Sequence, residues 1–219
     1  MLKFPCLVLD HDATVVQSET TINYPYFCYI LDQFRPGETI TLEEYTQGCF
    51  NPGFADMCRQ RWQMTGAELW EEYIGWKEYS RGHIPPLCPG IETVIRRQKA
   101  EGGLVCVASL STREIITRDY MHHFGFLPDA VYDYDLPANQ RKPFPFALED
   151  IMRRFGIQAQ EMLLVDDMKL GWDMAQSAGV QTAYAAWNKA EFPELTEQMR
   201  GLFSYFFDST KELEKFLFD

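Results

Sequence analysis

Five short apolar runs punctuate the chain, at residues 4–9, 104–108, 130–132, 162–165 and 182–185. Each is apolar at successive rather than alternate positions. That pattern predicts strands buried on both faces, as in a parallel sheet. At residues 91–100, 113–124, 146–155 and 172–178 apolar positions instead return every third or fourth residue, which predicts amphipathic helices. Gly125, Gly156 and Gly179 directly follow three of these helices, where a residue free to turn left-handed ends a helix at least cost. Strand and helix alternate, so the fold class is α/β with a Rossmann-like, doubly wound parallel sheet.

One interval breaks the alternation. Residues 17–86 hold no buried strand pattern but do hold helical periodicity, as at 67–79, punctuated by Arg35-Pro36-Gly37 and Asn51-Pro52-Gly53. Pro85-Pro86 and Cys88-Pro89-Gly90 mark the return. A connection of this length predicts a small all-helical unit inserted after the first strand. The organisation is then a discontinuous core, residues 1–16 and 87–219, around an insert at 17–86. Thirteen aromatics fall in the insert, a mild excess over the chain average of 15%, and these are expected to form its own small core.

Composition narrows the partners. With 46% hydrophobic and 24% charged residues in 219, the chain can bury a true core, and disorder is not expected. Its net charge of −12 opposes a phosphate lattice, so neither nucleic acid nor an anionic membrane is an expected partner. The nearest basic runs, Arg96-Arg97-Gln98-Lys99 and Arg153-Arg154, read as solvated helix faces. A small phosphorylated metabolite remains compatible, because a local site can be cationic in an anionic protein. No apolar run approaches the roughly 18 residues of a membrane span, and the apolar N-terminal stretch is cut short by Asp10. Six cysteines without a C-x-x-C pair favour a reduced, cytoplasmic location. The oligomeric state is left open, a monomer included.

In open α/β sheets ligands bind beyond the carboxyl ends of the strands. The predicted strands here end in Asp10-His11-Asp12-Ala13-Thr14, in Ala108-Ser109 and in Asp166-Asp167, while Arg141-Lys142-Pro143-Phe144-Pro145 lies in the loop after the third. Converging carboxylates repel one another unless a cation is present. Oxygen ligands select a hard ion such as Mg2+. A lysine and a hydroxyl beside that ion suit a phosphoryl group, whose charge they can neutralise and hydrogen-bond. A carboxylate nucleophile would divide the reaction into formation and hydrolysis of an acyl phosphate.

The ordered set resembles the haloacid dehalogenase (HAD) superfamily, in its phosphoglycolate phosphatase-like group with a helical cap. The D-x-D-x-T/V motif is matched by Asp10 to Thr14, the strand-end Ser/Thr by Ser109, the K-P-x-P lysine by Lys142, and the acidic pair by Asp166-Asp167. The cap belongs where the long insert lies, and the resemblance spans essentially the whole chain. It implies Asp10 as nucleophile and Asp12 as general acid, then base. It further implies Ser109 and Lys142 as holders of the phosphoryl oxygens, and Mg2+ held by Asp10, the Asp12 carbonyl and Asp167 with help from Asp166. Two positions depart from the pattern. Ala13 stands where glycine is usual, and Gly171 where a later acidic residue often stands; the double-aspartate form is therefore favoured, with Asp173 structural or peripheral.

Three further residues are candidates for substrate contact: His11, which would either face a substrate or pack, and Arg59 and Arg61, which would either reach an anionic tail or lie on a solvated helix face. The adjacent pair His122-His123 points to different helix faces and makes a poor metal site. The expected function is a Mg2+-dependent phosphatase acting on a small phosphomonoester through an aspartyl phosphate. The alternative is an intramolecular phosphomutase of the β-phosphoglucomutase type. A non-catalytic phosphoacceptor is opposed by the insert and by the early position of Asp10, and a silent binding protein by the intact set of catalytic residues.

Overall fold

A computed structural model of the protein describes residues 2–189 and 192–219. The chain begins with β1 (Cys6–Leu9) and passes into the insert, which carries α1 (Tyr24–Phe34), α2 (Leu42–Gly48), α3 (Phe54–Trp62) and α4 (Gly66–Arg81). Then follow α5 (Ile91–Ala100), β2 (Leu104–Ala108), α6 (Arg113–Phe124), β3 (Ala130–Tyr132), α7 (Phe146–Phe155), β4 (Met162–Asp166), α8 (Lys169–Ala178) and β5 (Gln181–Ala185). The chain closes with α9 (Pro193–Arg200), β6 (Tyr205–Phe207) and α10 (Thr210–Phe218). The expected α/β class is thus found, with a sixth strand that the apolar pattern did not announce.

All strand pairings are parallel, in the order β3-β2-β1-β4-β5-β6. The alternation of side chains along each strand sorts them into two apolar layers. Leu7, Leu9, Val105, Val107, Leu163 and Val165 pack on one face with α5, α6 and α10. Cys6, Val8, Cys106, Ala108, Met162 and Leu164 pack on the other with α7 and α8. Both faces are covered, which is why these strands read as unbroken apolar runs. Gly125, Gly156 and Gly179 each follow a helix with positive φ (77°, 67° and 70°), as their positions predicted.

Contacts divide the chain into two compact units, residues 1–17 with 86–219, and residues 18–85. The chain leaves and re-enters the first unit at one place. The Gln17 N–H donates to the Pro86 carbonyl at 2.9 Å, the Cys88 N–H to the Val15 carbonyl at 2.9 Å, and the Gln17 side chain to the Leu87 carbonyl at 2.7 Å. The regular elements of the second unit are all helical. Its own core gathers Tyr26, Phe27, Ile30, Leu31, Tyr45 and Trp62, with Phe27 in ring contact with Tyr45, Phe54 and Trp62. Two of its helices start with reciprocal caps, Thr41 with Glu44 and Thr65 with Glu68, which satisfy amide groups that a helix start leaves open. No helix among the described residues is long and apolar enough to cross a membrane.

Candidate active site

The sheet order places β1 between β2 and β4, so successive crossovers diverge to either side of it. This switch point is where an open α/β sheet forms a crevice at the carboxyl ends of its strands. Leu9 lies in register with Val165, and the Asp10 N–H donates to the Val165 carbonyl at 2.9 Å. The residues that follow, Asp10 on one strand and Asp166-Asp167 on the next, therefore emerge side by side. Carboxylate oxygens of all three lie within 4.8 Å of one another, and all three residues are buried.

Lys142 joins this cluster from the loop between β3 and α7. Its ammonium donates to Asp10 Oδ1 at 2.8 Å and to Asp166 Oδ2. Burial alone would push the lysine down, but the charges of Asp10 and Asp166 outweigh it and hold the ammonium above the ordinary lysine range. Burial pushes the Asp166 carboxyl up to about 7, against the pull of Lys142. Asp166 approaches its helix closely: a Cβ built on Gly171 would overlap the Asp166 carboxylate. That accounts for glycine at position 171, where a later acidic residue often stands in the resembled pattern. Asp173 pairs with Lys169 at 2.6 Å on α8.

Ser109 directly follows β2, its N–H donating to the Tyr132 carbonyl at 2.9 Å, and its Oγ accepts from the Ser111 N–H at 3.1 Å. Ser109 and Lys142 line the same small cavity of about 10 Å³, room for roughly one water. Thr112 takes the N-cap position of α6, but its hydroxyl makes no capping bond.

The segment from Asp10 to Thr14 is a tight turn. The Val15 and Val16 N–H groups both donate to the His11 carbonyl, at 2.9 and 3.1 Å, and Asp12 is half-buried. Ala13 sits at φ +57°, the left-handed conformation for which glycine is the usual choice. The stretch after β5 holds this turn. Asn188 Nδ2 donates to the Ala13 carbonyl at 2.7 Å and Trp187 Nε1 to the Thr14 carbonyl at 3.1 Å. Thr14 Oγ1 donates to Asp167 Oδ1 at 3.4 Å, and Lys189 pairs with Asp167 Oδ2 at 3.3 Å.

The structure corrects the ligand-facing expectation for His11. Its side chain is wholly buried in the core unit, with Nε2 at 3.0 Å from Asp119 Oδ2, and Asp119 in turn accepts from Arg118. Burial alone would lower the imidazole, but the Asp119 bond and the nearby carboxylates raise it. Arg59 and Arg61 take the solvated reading: both lie on α3 in the second unit, exposed, paired with Asp56 at 2.8 Å and Glu44 at 3.0 Å. Sequence reasoning missed Trp187, Asn188, Lys189 and Asp119. The one available signal was that 187–189 directly follow a predicted strand end.

Asp10, Asp166 and Asp167 offer only oxygen, the donor set of a hard divalent ion rather than of zinc or copper. Three buried carboxylates this close also need positive charge beside them. Mg2+ fits both conditions.

The family model of haloacid dehalogenase-like hydrolases matches residues 7–185. No match was found among curated proteins. Among solved structures, a conserved haloacid dehalogenase-like protein of unknown function from Agrobacterium tumefaciens is 15% identical with a TM-score of 0.80, covering 97% of each chain. A predicted phosphoglycolate phosphatase from Haemophilus somnus is 17% identical with a TM-score of 0.74, covering 99% of each chain. CbbY from Rhodobacter sphaeroides, in complex with xylulose-(1,5)bisphosphate, is 16% identical with a TM-score of 0.68, covering 83% of this chain and 85% of that one. With most of its length matched by the family model, and the matched span running from the first strand to the fifth, the chain belongs to the haloacid dehalogenase-like hydrolases.

Proposed function

We propose that the protein is a phosphatase that hydrolyses a small phosphomonoester through an aspartyl phosphate on Asp10. The observation that carries this reading is the buried meeting of Asp10, Asp166, Asp167 and Lys142 at the switch point of the sheet. An Asp10 carboxylate oxygen attacks phosphorus, and Asp12 gives its proton to the departing alkoxide. Asp12, now ionised, takes a proton from water, which attacks the same phosphorus and releases phosphate, regenerating Asp10. Lys142 and the Ser109 hydroxyl hold phosphoryl oxygens, so charge that builds during transfer meets donors already in place. Asp10, Asp166, Asp167 and the Asp12 carbonyl would hold Mg2+, which when bound supplies positive charge to the phosphoryl oxygens.

The substrate class is a small phosphorylated metabolite, and the unit at residues 18–85 acts as the cap that selects among such esters. The names of the structural neighbours, a phosphoglycolate phosphatase and a protein in complex with a sugar bisphosphate, support that class. Six free cysteines support a reducing cytoplasmic location.

The test is phosphate release from an aryl phosphate and a panel of phosphorylated metabolites, with Mg2+ and with EDTA. Wild type is expected to release phosphate only with Mg2+, and Asp10→Asn to lose at least about a thousandfold in rate. Interconversion of sugar-phosphate isomers without free phosphate would instead establish the mutase. Release that survives both EDTA and the Asp10 substitution would overturn the proposal.

A further inference from the structure

Lys189 is a second buried ammonium at the site. It is 3% exposed and sits 3.3 Å from Asp167 Oδ2. It reaches Asp167 from the stretch after β5, whereas Lys142 reaches Asp10 and Asp166 from the loop after β3. Its two preceding residues, Trp187 and Asn188, hold the carbonyls of Thr14 and Ala13, and Thr14 also donates to Asp167. Three consecutive residues thus fasten the Asp10 turn and the acidic pair to one another.

We propose that Lys189 acts through Asp167 as an electrostatic positioning residue: paired with this carboxylate, its ammonium removes one negative charge from the site, so that a phosphate dianion can enter. The inference rests on the metal and phosphate sites of the proposed phosphatase. Asp10, Asp166 and Asp167 crowd three carboxylates into one place, and Lys142, which pairs with Asp10 and Asp166, answers only part of their charge. A buried ammonium on Asp167 acts on two ions with opposite sign. It repels an incoming divalent cation and attracts an incoming phosphate. A lysine that merely filled space would not separate the two effects.

The experiment measures Mn2+ binding by electron paramagnetic resonance, and inorganic phosphate binding by calorimetry at saturating Mn2+. Wild type, Lys189→Gln and Lys189→Arg are compared. In the glutamine variant Mn2+ is expected to bind at least about threefold more tightly and phosphate about tenfold more weakly, as charge removal at this range requires. The arginine variant, which keeps the charge, is expected to recover phosphate affinity to within about threefold of wild type. Loss of both affinities together in the glutamine variant, or no change in either, overturns the inference. Should the glutamine variant not fold, the arginine variant decides: recovery supports the inference and a tenfold loss of phosphate affinity overturns it. A wild type that binds both ions but cleaves no ester refutes the phosphatase alone, whereas a catalytically active wild type whose variants bind both ions unchanged refutes only the role of Lys189.

Discussion

Ala13 carries a methyl group in a left-handed conformation while almost fully buried. There a Cβ crowds the following carbonyl oxygen, at a cost of about 1–2 kcal/mol that glycine escapes. Asn188, Trp187 and the two amides on the His11 carbonyl hold the turn in spite of that cost. Ala13→Gly is expected to raise stability by up to about 1 kcal/mol, the rest being offset by the freedom glycine gains in the unfolded chain. Urea unfolding midpoints test this, and a lowered midpoint would mean that packing of the methyl outweighs the strain. Residues such as Asp10, Ser109 and Asp166 were legible in the sequence because each ends an apolar run. Lys189 and Asp119 were not, because their significance lies in burial and in a partner distant along the chain; Asp119 meets His11 across 108 residues. The same blindness left His11 open between ligand and core, and a single buried ion pair decides it.

Helix α4 was legible from its period and gains a cap at Thr65, but it carries a feature that the period could not reveal. Glu72 is 8% exposed, and its carboxylate makes no hydrogen bond or ion pair among the described residues. Burial pushes it from 4.5 up to about 7. A carboxyl raised on folding costs nothing below its unfolded value; the cost grows as pH climbs from about 4.5 and levels off above about 7. The full difference amounts to about 3 kcal/mol. Glu72→Gln is therefore expected to match wild type near pH 4 and to exceed it by up to about 3 kcal/mol at pH 8. Chemical denaturation at both values tests this, and an equal gap at the two would show that the carboxyl ionises freely. Strand β6 was illegible for a different reason. Tyr205–Phe207 is short and only partly buried, it pairs with β5 at the sheet edge, and its rings contact Tyr184 and Phe216 rather than following a strand period.

At the level of the whole chain, a net charge of −12 coexists with a site that holds two buried ammoniums, so the sign of the overall charge does not set the sign of the local one. The discontinuous organisation was visible as a lapse in strand pattern, although the exit and re-entry bonds were not. Gln17 and Pro86 are joined by a backbone hydrogen bond, with Val15 and Cys88 joined beside them. Replacing residues 18–85 by a Gly/Ser linker of about four residues is expected to leave the sheet unit cooperatively folded. Circular dichroism with a thermal melt measures this, and a non-cooperative or aggregating product would show that the sheet unit needs the insert to fold. The stapled crossing has a consequence for descent as well. A segment that departs and returns through one narrow gate can be lengthened, exchanged or acquired by recombination without re-threading a single strand. A lineage can then rewrite that segment while inheriting the order and register of the sheet intact.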